Sequence, residues 1–299
     1  MQAKKIILVL GLVFTFQFCF SQSFFKNADS LHKNRTIGIT ALYTTSWTSS
    51  ILALNYVWYA DYPSTKMHTF NDWDEWLQMD KFGHIYTAYH ISKSVALFNR
   101  WAGMKKVPAA IVGSAFALGY QTTLEILDGK SADWGFSWGD MIANTLGAVA
   151  YASQEYFFDS PRILLKQSYH PTEYALLRPQ VLGDNFVQRY LKDYNGQTYW
   201  FSFAPAQFSS KIPLPKWFCL SVGYGIDGKL YGTENTAIFD GVTYNAQRRF
   251  LLSFDIDLTQ LNIKNKTLKA FVKPFNAIKI PFPTIYWQNN TCYIKGLYF

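Results

Sequence analysis

The spacing of apolar residues changes near residue 160, and no other feature constrains the fold as much. Upstream they recur every three to four positions: Leu77, Phe82, Ile85, Ala88, Ile91, Val95 and Phe98 fall on one helical stripe. Downstream the period becomes two. Tyr199, Phe201 and Phe203 alternate with Trp200 and Ser202, and Phe218, Leu220, Val222 and Tyr224 with Cys219, Ser221 and Gly223. Phe250, Leu252, Phe254, Ile256 and Leu258 alternate with Leu251, Ser253, Asp255 and Asp257. The two periods require different elements, so the expected class is α+β: an N-terminal four-helix bundle followed by a β-rich antiparallel C-terminal region. The expected divisions are a helical domain over 23–160, a linker region over 161–196 and the β-rich region over 197–299.

Four helices are expected. The first, Thr36 to Ala60, has no charged residue and is long enough at about 1.5 Å per residue to cross a bilayer. Its Ser and Thr residues suit a buried bundle helix equally well. The second runs from about Asp74 to Trp101, capped by Asn71 or Asp72, and its Lys93 and Arg100 make it a poor spanning segment. The third, Pro108 to Leu127, has proline in its first turn and stops at Asp128-Gly129. The fourth starts at Ser137, and Ala143, Gly147, Ala148 and Ala152 permit close helix contact. Short connections favour antiparallel neighbours, and association of the bundle with a membrane stays open.

In the second half, Asp227-Gly228 and Asn289-Asn290 read as hairpin turns. Alternating strands ending in TCYIKGLYF look like the end of an outer-membrane barrel. About 100 residues are too few for eight strands of nine to eleven, and Pro213, Pro215, Pro274, Pro281 and Pro283 interrupt the pattern. A small sheet packed on the bundle is therefore expected, with a barrel as the alternative.

The leading MQAKKIILVLGLVFTFQFCFSQ has a basic start at Lys4-Lys5, an apolar core over Ile6–Phe20 and a small-residue exit at Ser21. Residues 1–22 read as a signal peptide, an uncleaved anchor being the alternative. Cys19 sits between bulky Phe18 and Phe20, so lipidation is not expected. The expected compartment is the periplasm or outer membrane of a Gram-negative bacterium. Removing the signal lowers the net charge from +8 to +6. No basic run exceeds Lys105-Lys106 or Arg248-Arg249, so no nucleic-acid track is present. Aromatic residues make up 18% of the chain, a composition suited to lipid boundaries and sugar surfaces or to a large aromatic core. Cys219 and Cys292 are enough for one disulfide but not for a disulfide framework.

Polar residues on the helical stripes mark a candidate site. Asp80 and His84, four apart, share a face, and Lys81 supplies a counter-charge. Glu125 falls in the last turn of the third helix, at the negative end of its dipole, where a carboxylate needs a partner. Asp140 and Asn144, again four apart, open the fourth helix. If the three helices pack together, these groups converge at one end of the bundle, with Asp128 close by and the Trp134, Phe136 and Trp138 loop as a cover. Each also has a plain structural role. Asp80-Lys81 fits a surface pair, His84 an interface histidine, and Ser137-x-x-Asp140 a capping box.

Taken together, D-K-x-G-H, E-x-x-D-G and S-W-x-D-x-x-x-N-x-x-G-A resemble the YfiM-like family of uncharacterised periplasmic lipoproteins. They are similar, more distantly, to VanZ-like membrane proteins. The resemblance covers about residues 70–155. It implies an envelope location without an established reaction, and for the second family a membrane helix bundle tied to glycopeptide sensitivity. Three functions stay open. The first is binding of an envelope lipid or glycan head group by Asp80, Lys81, His84, Glu125, Asp128, Trp138, Asp140 and Asn144. The second is hydrolysis or transfer with His84 as base and Asp80 or Glu125 orienting it, Asn144 polarising the substrate, and a divalent metal on Asp80, His84, Glu125 and Asp140 chemically feasible. The third is outer-membrane assembly or transport. No motif names a cofactor, and no feature fixes the oligomeric state.

Overall fold

The computed structural model describes residues 26–55 and 63–299. The expected signal peptide and the end of the expected first helix, 56–60, lie outside them. Four long helices precede an antiparallel sheet: α1 (Lys33–Leu54), α2 (Met79–Trp101), α3 (Lys106–Asp128) and α4 (Trp138–Phe157). The helix α1 lies against α2 and α3 through Tyr43, which meets Phe98 and Phe116, and Trp47, which meets Phe116 and Tyr120. Among the described residues no helix is long and apolar enough to cross a membrane. The Ser and Thr residues spaced through α1 dilute the hydropathy of its described part.

The helices α2, α3 and α4 pack closely because small residues sit where they cross. A Cβ on Gly113 would lie 2.3 Å from the Ser92 carbonyl oxygen, and one on Gly147 2.2 Å from that of Ile85. Tyr89, Ala96, Ala109, Ala110 and Tyr151 form the core between them, joined by Leu165 from the sheet.

The start of α2 differs from expectation. Neither Asn71 nor Asp72 caps it. A short 3₁₀ turn, Glu75–Gln78, precedes it, and Trp76, Leu77 and Gln78 take left-handed φ of 49°, 50° and 65°. Each such residue costs about 1–2 kcal/mol. Burial of Leu77 against Met79, Tyr199, Tyr224 and Ile226 offsets part of that cost.

The strands are β1 (Ile163–Tyr169), β2 (Gln197–Phe203), β3 (Phe218–Asp227), β4 (Thr236–Phe239), β5 (Val242–Asn245), β6 (Gln247–Ile256), β7 (Phe282–Gln288) and β8 (Thr291–Tyr298). Six form one antiparallel sheet in the order β1-β2-β3-β6-β7-β8, and β4–β5 is a separate hairpin. The segment 161–196, read from sequence as a linker, thus carries β1 and three short helices. Its ILLKQSY run lacks clean alternation because β1 is buried along most of its length. Asn289-Asn290, at φ 47° and 57°, closes β7–β8. Asp227-Gly228 does not close a hairpin; it ends β3, and Asp240-Gly241 instead turns β4 into β5.

One sheet face meets the bundle. Phe82 of α2 stacks on Tyr224 with ring centroids 4.8 Å apart, and Tyr86 meets Tyr199 at 5.7 Å. Cys219 is buried and Cys292 exposed, and both are free thiols. Pleat alternation and register put them on opposite faces of the sheet, which precludes the bridge.

Candidate functional site

The polar end of the bundle is assembled from three helices and one loop. Lys81 projects from the first turn of α2 and is 5% exposed. Its Nζ lies 2.6 Å from Asp140 Oδ1, 2.7 Å from Asp72 Oδ1 and 3.2 Å from Asp80 Oδ2. Three carboxylates around one ammonium favour the charged amine and hold its pKa above the ordinary lysine value against the opposing effect of burial. Gly139 makes room for the lysine stem: a Cβ there would sit 3.1 Å from Lys81 Cε.

His84 lies one turn further along α2. Its Nδ1 is 3.1 Å from Asn144 Oδ1 and 3.7 Å from Glu125 Oε1. Its Nε2 is 3.6 Å from Asp140 Oδ1 and 3.7 Å from Asp80 Oδ1. Gln121 Nε2 also donates to Asn144 Oδ1, at 2.7 Å. Asn144 Oδ1 can only accept, so this contact suits a hydrogen on Nδ1, and Nε2 faces the Asp80 and Asp140 carboxyls. The site is not sealed, because the His84 and Asp80 side chains keep 19% and 25% exposure.

The carboxyls are not equivalent. Burial works to raise Asp80, but His84, Lys81 and the Tyr194 hydroxyl, which donates to Asp80 Oδ1 at 2.8 Å, bring it down to about 2. Glu125, 1% exposed, is pushed up to about 8 by burial and by the charges of Asp140 and Asp128, with His84 opposing. Asp140 is pushed up by burial, then by Asp80 and Asp72, to about 9. So many acids beside one lysine cannot all ionise, and protons are retained on the more buried members. Glu125 Oε1, Asn144 Nδ2 and Gln121 Oε1 are buried with no hydrogen-bond partner among the described residues.

The expected convergence of Asp80, Lys81, His84, Glu125, Asp140 and Asn144 is present. Asp128 acts at longer range, through its charge on Glu125. Trp138 is not a cover: it is 66% exposed and turns outward against Phe136. The capping box is half formed. Ser137 Oγ accepts from the Asp140 amide at 3.0 Å, but the Asp140 carboxylate has gone to Lys81, and the Ser137 amide donates to Glu125 Oε2 at 3.3 Å instead. Thus Glu125 gains its partner from the start of α4.

Three members were not anticipated. Asp72, read as a cap, binds Lys81 and accepts from Ser137 Oγ at 2.6 Å. Gln121 precedes Glu125 by four residues, a helical spacing that would have revealed it. Tyr194 comes from the segment between β1 and β2, which no local pattern links to α2.

Asp80, His84 and Asp140 each place one donor atom within 4.8 Å of the others, the spacing a divalent cation requires. Lys81 already supplies positive charge to Asp140 there, so a metal ion would have to displace its ammonium.

No curated protein and no solved structure matches the chain. Residues 69–155, which hold every helical member of the cluster together with Asp72, match the model of a family described as "Predicted periplasmic lipoprotein (DUF2279)", in agreement with an exported protein of the periplasm or outer membrane.

Proposed function

We propose that this cell-envelope protein uses the α2–α3–α4 cluster to bind the polar head group of an envelope lipid or glycan through its hydroxyl or amine hydrogens. The observation that carries the reading is the distribution of charge. Lys81 is surrounded by three carboxylates and offers nothing to an incoming phosphate. The partly exposed edge presents Asp80 and His84, with the unpartnered Glu125 Oε1 and Asn144 Nδ2 behind them. Acceptors outnumber free cations, which selects for donor groups on the ligand. The resemblance of D-K-x-G-H and D-x-x-x-N to motifs of YfiM-like proteins and, more distantly, to the D-K-x-x-H and D-x-x-x-N of VanZ-like proteins is in keeping with an envelope ligand. Protein extracted from membranes in mild detergent is expected to carry a lipid or glycan in native mass spectrometry, and Asp80→Asn and His84→Ala to lose it. Equal retention by both variants would refute the head-group site.

A hydrolase or transferase is the second reading, favoured by Glu125 near 8 and Asp140 near 9 beside an imidazole. Carboxyls tuned toward neutrality suit general acid–base work. In this reading His84 is the base, Asp80 or Glu125 orients it and Asn144 polarises the substrate. Turnover of envelope lipid extracts that drops on the order of 100-fold in Glu125→Gln would support it.

A further inference from the structure

We propose that the outward face of β3, β6, β7 and β8 lies against the acyl chains of an anionic phospholipid bilayer, with the connections at one end of the sheet among the head groups. This rests on the sheet alone and is independent of the helical cluster.

A sheet in water buries its apolar face and exposes its polar one. Here the outward face is the more apolar one, and the enclosed face holds buried charge beside the Trp200, Leu251 and Tyr298 core. On the inner face, Lys166 Nζ and Asp255 Oδ2 are 2.8 Å apart with both side chains fully buried. Ser202 bonds Ser221 at 2.7 Å and Asp255 at 2.9 Å, and Lys279 reaches in to Ser253 at 3.3 Å. The sheet curls around these groups. Four strand spacings, about 19 Å when flat, separate β2 from β8, yet Thr198 Oγ1 and Tyr298 Oη are 3.2 Å apart.

The outer face carries the apolar alternates. The register lays them in rows across the strands: Val222–Leu252–Ile285–Ile294 and Leu220–Phe254. The bundle takes up the β2 end of this face; beyond it Ile285 is half-buried, and the others run from 39% exposure at Leu220 to 79% at Ile294. Polar-in, apolar-out alternation is the pattern of strands facing lipid. From Phe250 to Phe254 the exposed rows rise about 14 Å, about half of a hydrocarbon core.

Charge identifies the occupant. The β2–β3 and β6–β7 connections, 204–217 and 257–281, leave the same end of the sheet. They contain Lys211, Lys216, Lys264, Lys266, Lys269 and Lys273 besides the inward-buried Lys279, and their single acid, Asp257, is buried. Exposed Trp217, Leu268 and Phe271 lie among these lysines. An apolar wall bordered by unbalanced lysines and aromatic rings matches the layering of acyl chains beneath anionic head groups.

Cys292 is exposed and pairs in register with Trp287 on the outward face, whereas Cys219 is buried, so a thiol-reactive environment-sensitive dye on the exported chain reports this face. With vesicles of phosphatidylethanolamine and phosphatidylglycerol, the protein is expected to co-float, the dye to shift blue, and brominated acyl chains to quench it. Leu252→Arg should weaken binding at least about 30-fold, the equivalent of about 2 kcal/mol. Ile238→Arg, on the exposed β4–β5 hairpin, should leave it unchanged. Flotation without bromolipid quenching would mean adsorption through lysines alone and would overturn the proposal. So would absence of flotation, or a dimer in solution that blocks Cys292 labelling and does not float. If Leu252→Arg does not fold, quenching in the wild-type chain decides by itself.

Discussion

His84 and its neighbours show how one set of side chains serves stability and chemistry in opposite senses. An unfolded glutamic acid titrates near 4.3, whereas burial and neighbouring charge hold Glu125 up to about 8. Between those values the folded chain keeps a proton that the unfolded chain has lost. The associated stability is fully present below about pH 4 and declines as pH rises toward 8, by about 1.4 kcal/mol per unit for one proton. Urea melts from pH 5 to 8 should show this fall, and Glu125→Gln should flatten it, leaving only the share from Asp140. Stability that rises over this range in the wild type would contradict the assignment. Lys81→Met should cost about 3–5 kcal/mol at pH 8, because three carboxylates lose their shared cation.

Among the elements, the α2–α4 crossing decides whether the site exists. Gly147 allows the Ile85 carbonyl to approach where a methyl group would stand 2.2 Å from it. Gly147→Ala should therefore push α4 away and cost about 1–3 kcal/mol, despite the better helix propensity of alanine. The displacement would separate Asn144 from His84, so the melting temperature and the His84 ring chemical shifts at fixed pH should change together. An unchanged melt would mean that the contact is softer than the geometry implies. The entry to α2 carries a different constraint. Three consecutive left-handed residues turn the chain so that Leu77 and Trp76 reach toward the sheet, and they leave the Asp72 carboxylate aimed at Lys81 rather than at a helix amide.

In the whole molecule, two buried charge systems hold regions that are distant in sequence. Tyr194, from beyond β1, completes the coordination of Asp80 in α2, so the helical site depends on the second half of the chain. Lys166 on β1 reaches Asp255 and the Ile256 carbonyl on β6, across two intervening strands, which fixes the curl. Asp255→Ala should destabilise the protein by about 3–5 kcal/mol, since it leaves a buried ammonium without its counter-ion. Denaturant unfolding followed by tryptophan fluorescence would measure the loss. A change below 1 kcal/mol would show that water reaches Lys166 once the carboxylate is gone.

The α+β class, the limits of the third helix and the start of the fourth, and the convergence of Asp80, His84, Glu125, Asp140 and Asn144 were legible in the chain itself. Helical and pleated periods, and four-residue spacings on a helix, are local properties that every neighbour in sequence reports. The missed features depend on contacts between remote segments: Asp72 diverted from capping, Tyr194 delivered to Asp80, Trp138 turned outward, and β1 drawn from an apparent linker. The same holds for the polarity of the sheet. Alternation identifies two faces but not which one is enclosed, and here the pairing of Lys166 with Asp255 turned the polar one inward.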